Sequence, residues 1–338
     1  MDLNTIWFAL VGVLLTGYAI LDGFDLGVGV LHLFARTEEQ RRININAIGP
    51  VWDGNEVWLL TGGGALFAAF PIVYATVFSG FYLALMLLLL ALILRAVSLE
   101  FRSKVDSPGW RALWDWAFGI GSLLPAVLFG VALGNILRGI PIDATGTFTG
   151  SFLGLLNPYS ILVGVLSLVG CVLHGAVYMT MKTSGEQQES MSRWVNRAWI
   201  TFVVLFLLAT IATFFSASFL FQGLLRNPLF WVLLVLLLAS VLYIPVAVKG
   251  AKYAQGFAAS SVTIASLMGL VALSLFPRLV PSSVNLAYSL TIYNASSTPR
   301  TLITMLVIAL IGMPLVIAYT IFIYWVFRGK TTLIKESY

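Results

Sequence analysis

Cysteine and histidine are almost missing from this 338-residue chain, which has one of the first and two of the second, and only 10% of its residues are charged. The lone Cys171 can close no internal disulfide, and no Cys/His grouping has the spacing of a metal site. His32 and His174 are too few to supply axial ligands to several haems, even with Met as a partner ligand. The Gly62–Gly64 run is not followed by Lys-Ser/Thr and sits in an apolar stretch, so it is no phosphate loop. No Ser/His/Asp grouping of the nucleophilic kind is present either. With so little charge against 59% hydrophobic residues and a mean hydropathy of +0.96, the chain cannot cover a soluble domain with polar surface.

What the sequence has instead is long apolar runs. Nine spans can be drawn, at about Ile6–Leu33, Pro50–Ile72, Thr76–Leu99, Leu113–Leu137, Pro158–Met181, Trp199–Phe221, Leu229–Val248, Phe257–Phe276 and Leu302–Phe327. The first run has no basic stretch before it and is too long for a signal segment, so it reads as a retained helix. The expected fold is therefore an all-α integral membrane protein with nine transmembrane helices, residues 1–338 forming one polytopic domain. Spans 4 and 8 are each followed by a long loop, which gives a pseudo-repeat of 1–140 and 155–280 with the ninth helix, 302–327, appended as a peripheral one.

The net charge of +5 and pI near 9.3 do not indicate nucleic acid, because the basic residues fall on one side. Fourteen of the 19 Lys and Arg, Lys335 among them, lie in the connections after spans 1, 3, 5 and 7 and in the C-terminal tail. Arg138, Arg226, Arg278 and Arg300 lie on the other side, and Arg95 is inside span 3. The positive-inside rule then places the N-terminus outside and the C-terminus in the cytoplasm.

Two segments break the apolar pattern. LDGFDLGVG carries Asp22 and Asp25 within span 1, and GPVWDGNEVWLL brings Asp53, Asn55 and Glu56 into span 2. The apolar run that follows, Val57–Ile72, covers about 24 Å at about 1.5 Å per residue against a hydrocarbon core of about 30 Å, so the polar cluster dips into the bilayer. Ionisable groups there cost a few kcal/mol each and usually face a protein interior. Asp22 and Asp25 are three apart and share a helix face. Asp25, Asp53 and Arg95 all fall in the inner halves of their spans, an arrangement that implies a polar path from the cytoplasm, with Arg95 as counter-charge to Asp53.

Each of these residues also has a plainer reading. Buried Asp–Arg pairs can simply fix helix packing, and Glu56 can be a first-turn carboxylate on the helix dipole. Glu100, Arg102 and His32 read as interfacial, His174 as a packing residue, and the tryptophans near span ends, Trp7, Trp52 and Trp58 among them, as an aromatic belt.

The segments LTGYAILDGFDLGVGVL, EEQRRININAIGPVWDGNEVWLLTGGGALFAAFP, FSGFYLA, RSKVDSPGWRALWDW, LLNPYS and PSSVNLAYSLTIYNASS resemble subunit II of the cytochrome bd-type quinol oxidases over nearly the whole chain. WDGNxVWL after DGFDxGVG is highly specific to that subunit. The resemblance implies a bacterial inner-membrane protein paired with a similarly folded subunit I. That partner carries two haems b and haem d, and the complex oxidises quinol at the outer face and reduces oxygen to water. This chain alone then binds no haem or metal. The partners implied are subunit I, membrane lipids and quinone, with a small accessory subunit left open and no nucleic acid. By resemblance Asp53 belongs to a proton path between the subunits, Asp25 and Arg95 match family positions, and Trp52 is placed to contact a partner haem. The family commonly has Gln where this chain has Glu56. Small-residue faces at Gly23/Gly27 and Gly62–Gly64 are expected to pack on subunit I. A secondary transporter or a purely structural scaffold subunit would use intramembrane Asp and Arg as well, and both readings stay open at this level.

Overall fold

A computed structural model describes residues 2–333, and Lys335 lies outside the described residues. The chain runs through α1 (Leu3–His32), α2 (Glu38–Ile48), α3 (Trp52–Ala69), α4 (Pro71–Gly80), α5 (Tyr82–Phe101), α6 (Pro108–Arg138), α7 (Pro158–Lys182), α8 (Gly185–Ser216), α9 (Pro228–Lys249), α10 (Tyr253–Leu275) and α11 (Pro299–Val326). Eight of these helices are long and apolar enough to cross a membrane, or nine if the bent pair α3 and α4 counts as one span. In a bilayer such a helix satisfies its backbone N–H and C=O groups internally.

The helix starts are written in the sequence. Pro71, Pro108, Pro158, Pro228 and Pro299 each open a helix, where the missing N–H would have had no partner anyway. Asp2, Thr37, Asn157 and Thr298 cap α1, α2, α7 and α11 by accepting from the backbone N–H three residues on.

Three features depart from the nine-span expectation. Span 2 ends earlier, because Pro71 cannot continue α3 and forces Phe70 out of the helical region; the chain turns by 119° into α4 before α5 begins. The connection after span 1 contains α2, which buries Asn44, Ile45, Ala47 and Ile48. Its low overall hydropathy gives it no span signature. Finally, α8 starts at Gly185 rather than Trp199, and its added turns bury Gln187, Met191, Val195 and Ala198 at helical spacing beneath a polar outer face.

Helix α1 lies at the centre, packed on α3, α6, α7 and α10. Its approach to α7 is backbone on backbone, since a Cβ on Gly27 would collide with the Cys171 carbonyl oxygen and one on Gly175 would meet the Gly27 carbonyl carbon. This overturns the expectation that the Gly23/Gly27 face packs on subunit I, because its close approach is consumed within the chain. Of the Gly62–Gly64 run, Gly62 likewise packs internally, on Leu14 and Leu15, while Gly63 and Gly64 meet nothing within 4 Å. Trp7 is not an interfacial aromatic either: it is buried and donates Nε1–H to the Leu302 carbonyl at 3.0 Å, fastening the first helix to the last.

At the end opposite α2 the two long loops interlock. Ile140 N–H donates to the Pro281 carbonyl and Ser283 N–H to the Ile140 carbonyl, at 3.1 and 2.9 Å. Beside them β1 (Arg278–Val280) pairs antiparallel with β2 (Leu290–Thr291), burying Val280, Leu290, Ile140 and Ile142.

Replacing Gly27 by Leu should destabilise the protein by about 3 kcal/mol, the upper end for overpacking, because the obstacle is backbone rather than a movable side chain. Thermal unfolding in detergent checks this against Gly64→Leu, whose added side chain meets open space and should leave the midpoint near wild type.

Candidate functional site

The polar residues of α1, α3 and α5 converge on one ion cluster. Arg95 is fully buried and reaches across from α5, its Nη1 donating to Asp22 Oδ2 at 2.9 Å while Nη2 donates to Asp22 Oδ1. The same guanidinium lies 3.9 Å from Asp25 Oδ2 and 3.4 Å from Glu56 Oε1. A planar fork suits this duty, since two parallel bonds to one carboxylate leave the remaining charge within reach of two more. Asn55 completes the group: its Nδ2 donates to Asp25 Oδ2 at 2.7 Å and to the Leu21 carbonyl at 3.1 Å, and its Oδ1 accepts from the Tyr324 hydroxyl at 2.9 Å.

The carboxylates outnumber the cation. Asp22, Asp25 and Glu56 face one Arg95, so one or two of the acids can carry a proton while a carboxylate still pairs the guanidinium. Asp25 Oδ1 and Glu56 Oε1 are buried without a hydrogen-bond partner in the protein. Chemically, the cluster can take up, hold and pass on a proton; it offers no nucleophile and no oxyanion hole.

Of the residues singled out in the sequence, Asp25 and Arg95 come together here. Asp53 does not: it is exposed in the first turn of α3, one turn before Glu56, and the counter-charge expected for it, Arg95, is spent on Asp22. Trp52 is half-buried beside it. Glu56 faces Arg95 rather than only the helix dipole. Tyr324 had no signal in the sequence, lying in a helix that reads as apolar throughout.

A second network closes the basic end of the molecule. Asp115 of α6 accepts from Arg41 at 2.8 Å and from Arg102, and His32 donates to it from Nε2 at 2.8 Å. Arg102 also holds Glu38 through both oxygens, at 3.0 and 2.8 Å. Arg102 and His32, expected at the interface, are thus buried ion-network members, 2% and 1% exposed. Neither role is legible locally, because Glu38 on α2 and Asp115 on α6 meet these side chains only in the folded bundle. Burial pushes the Glu38 carboxyl up, but the hydrogen bonds and charge of Arg102, with Arg111 beyond, outweigh it and hold the group below its ordinary value.

Neither histidine is free to ligate a haem iron. His174 spends Nδ1 on Ser260 Oγ at 2.7 Å and Nε2 on the Ile20 carbonyl at 3.0 Å, with its ring stacked on Phe257. It lines an apolar cavity of about 370 Å³ between α7, α8 and α10, yet presents no open nitrogen to it. His32 commits Nε2 to Asp115 and its Nδ1 is enclosed. The residues present do not fit a haem ligand set. Among the described residues no group of three His, Cys, Asp or Glu could hold a metal ion.

Fold and site together define a class, that of a polytopic membrane protein with a charge cluster between its first, third and fifth helices. Comparison with known proteins places it more narrowly. Residues 3–327 match the family described as cytochrome bd terminal oxidase subunit II. The chain is 38% identical over 361 residues to cytochrome bd-I ubiquinol oxidase subunit 2 of Escherichia coli (strain K12), covering 98% of this chain and 95% of that protein. It is 39% identical over 333 residues to cytochrome bd ubiquinol oxidase subunit 2 of Bacillus subtilis (strain 168), covering 98% and 97%. A chain of the bd oxidase structure from Geobacillus thermodenitrificans matches with a TM-score of 0.82 at 18% identity, covering 97% of this chain and 99% of that one, a likeness of fold. The chain belongs to the cytochrome bd oxidase subunit II family. It is a multi-pass membrane subunit of an oxidoreductase complex, and a subunit I partner is implied.

Ionised Glu38 is the form the network favours, so its contribution to stability is present above its ordinary value of 4.5 and is lost as pH falls through its lower folded value. The thermal midpoint of the wild type should therefore fall more steeply between about pH 5 and about pH 3 than that of Glu38→Gln, which has no carboxylate to titrate. Equal slopes in detergent melts would show that the Arg102–Glu38 contact does not act in solution.

Proposed function

We propose that this chain is subunit II of a quinol:oxygen oxidoreductase in a bacterial inner membrane, pairing with a haem-bearing subunit I and supplying a proton path toward the oxygen-reducing site. The observation that carries this reading is the continuity of acids along α3. Asp53 is exposed, Glu56 sits one turn further in, and Glu56 meets Arg95, which meets Asp22 and Asp25. An acid at the chain's surface is thereby linked to a buried cluster that has more carboxylates than cations. With the basic end in the cytoplasm, protons enter where Asp53 lies, and an exposed Asp53 beside Trp52 suits a face shared with the partner.

Haem chemistry belongs to the partner in this reading: both imidazoles here are occupied or enclosed. What this chain's own residues do is hold charge in place. Arg95 compensates the acids, Asn55 fixes Asp25, and the carboxyls exchange protons. The structural reading, in which Asp22 and Arg95 only pin α1 to α5, accounts for that pair but not for the additional acids Asp25 and Glu56 beside it.

The chain expressed without its partner should contain no stoichiometric haem; pyridine-haemochrome analysis of the purified protein is the check, and haem lost on replacing His32 or His174 would reverse the assignment. In the haem-replete complex, Asp53→Asn should lower turnover by about 10²-fold, the low end for removing a proton-transfer group, since the amide keeps the shape but cannot carry a proton. Quinol-driven oxygen consumption against pH measures it, and superimposable wild-type and variant profiles would sink the path.

A further inference from the structure

We propose that α11 is a positioning element for the buried Asp25 carboxyl, acting through Tyr324 and Asn55, and is not merely an appended span. The inference rests on the proton-path reading for its consequence in turnover, while its structural content stands on the bonds themselves.

The amide of Asn55 has one orientation that works. Its Nδ2 faces two acceptors, Asp25 Oδ2 and the Leu21 carbonyl, and its Oδ1 faces one donor, the Tyr324 hydroxyl. Turned over, the amide would set Oδ1 against a carboxylate and a carbonyl, which is acceptor against acceptor. The Tyr324 O–H removes the remaining freedom by donating to Oδ1 at 2.9 Å. Without that hydroxyl a buried carbonyl oxygen is left unpaired, and the amide has less reason to keep Nδ2 on Asp25. The Tyr324 ring also lies edge-on to Phe24 of α1, with centroids 6.5 Å apart.

The rest of α11 explains why one phenol matters. Of its 28 residues only Leu302 is fully buried; Met305, Leu306, Ala309, Ile323 and Tyr324 are partly buried against the bundle, and most of the others turn outward. Apolar packing gives such a helix little preference for protein over lipid, and polar contacts decide where it sits. They are few and placed at its ends. Trp7 holds Leu302 at one end. At the other, Lys182 Nζ donates to the Phe327 carbonyl, Lys330 Nζ to the Thr180 and Thr183 carbonyls, and Thr331 N–H to the Lys182 carbonyl. Lys330 also lies 5.4 Å from the Tyr253 ring centroid. This latch onto the α7–α8 turn sets the height of Tyr324 along the bundle.

Asp25 is surrounded by titratable or charged groups from every side: Asp22 on its own helix, Glu56 on α3, Arg95 on α5, Tyr178 on α7 and Tyr324 on α11. Among these only Tyr324 acts on it through a neutral, orientable amide, so its loss changes the hydrogen bonding of Asp25 without changing the charge of the cluster.

The test uses the full two-subunit complex with haem bound. Infrared spectra identify the carboxyl and carboxylate bands of Asp25 as those removed by Asp25→Asn, and their pH titration is then followed in Tyr324→Phe. The expected result is a shift of the titration midpoint by about one pH unit, a tenfold change in proton affinity, with haem content unchanged. Truncation after Phe327, which removes Lys330 and Thr331, should move the same bands, and it serves as the second variant if Tyr324→Phe does not assemble. Unshifted bands would overturn the positioning role. The proton-path reading is judged separately, by oxygen consumption: Asp25→Asn matching the wild-type pH profile rejects that reading, whereas an altered Asp25→Asn profile beside a wild-type Tyr324→Phe profile rejects only the link from α11 to turnover.

Discussion

A buried guanidinium organises this protein. Arg95 is enclosed in the bundle, where an uncompensated charge would cost far more than the few kcal/mol that separate folded from unfolded states. Its bidentate contact with Asp22 makes burial tolerable, and that contact requires α5 to lie against α1 at one height and one rotation. Once α1 is fixed, the glycine contact with α7 and the packing on α6 follow from shape, and α3 must bring Asn55 to Asp25 and Glu56 to Arg95. The membrane strengthens the argument, because apolar surfaces alone give helices no strong reason to choose one partner over another.

Two polar networks divide the work. The Arg95 cluster sits within the apolar part of the bundle and has more acids than cations. The Asp115 network at the basic end is nearer balance, with Arg41 and Arg102 gathered on Asp115 and Glu38, and it joins α1, α2, α6 and the end of α5. An excess of acids favours proton exchange, whereas matched charges favour rigidity. In the reading proposed above, the Arg95 cluster exchanges protons, while the Asp115 network ties together the helix ends beside it.

Much of this was legible in the sequence because membranes simplify the code. Span positions, proline starts and the shared face of Asp22 and Asp25 follow from local rules, and α1, α6, α7, α9, α10 and α11 lie where hydropathy puts them. What escaped depends on distant partners. Tyr324 meets Asn55 from 269 positions away, and Asp115 meets His32 from 83. No periodicity records such meetings. The glycines misled for a related reason: a small-residue face announces a close neighbour but not which one, and for Gly27 that neighbour is α7 of the same chain. The turn at Pro71 is not legible locally, since one proline at the end of an apolar run reads as a boundary, not as a bend of 119°.

The bond between Trp7 and the Leu302 carbonyl spans 295 positions. A chain emerging from the ribosome inserts its first helix long before its last exists, so the indole N–H of Trp7 must wait for its acceptor through the synthesis of nearly the whole protein. Closure of the bundle is therefore a late, non-local event, of the kind that slows folding because distant segments have to meet. During that interval the flank of α1 that α11 will cover is open to the bilayer.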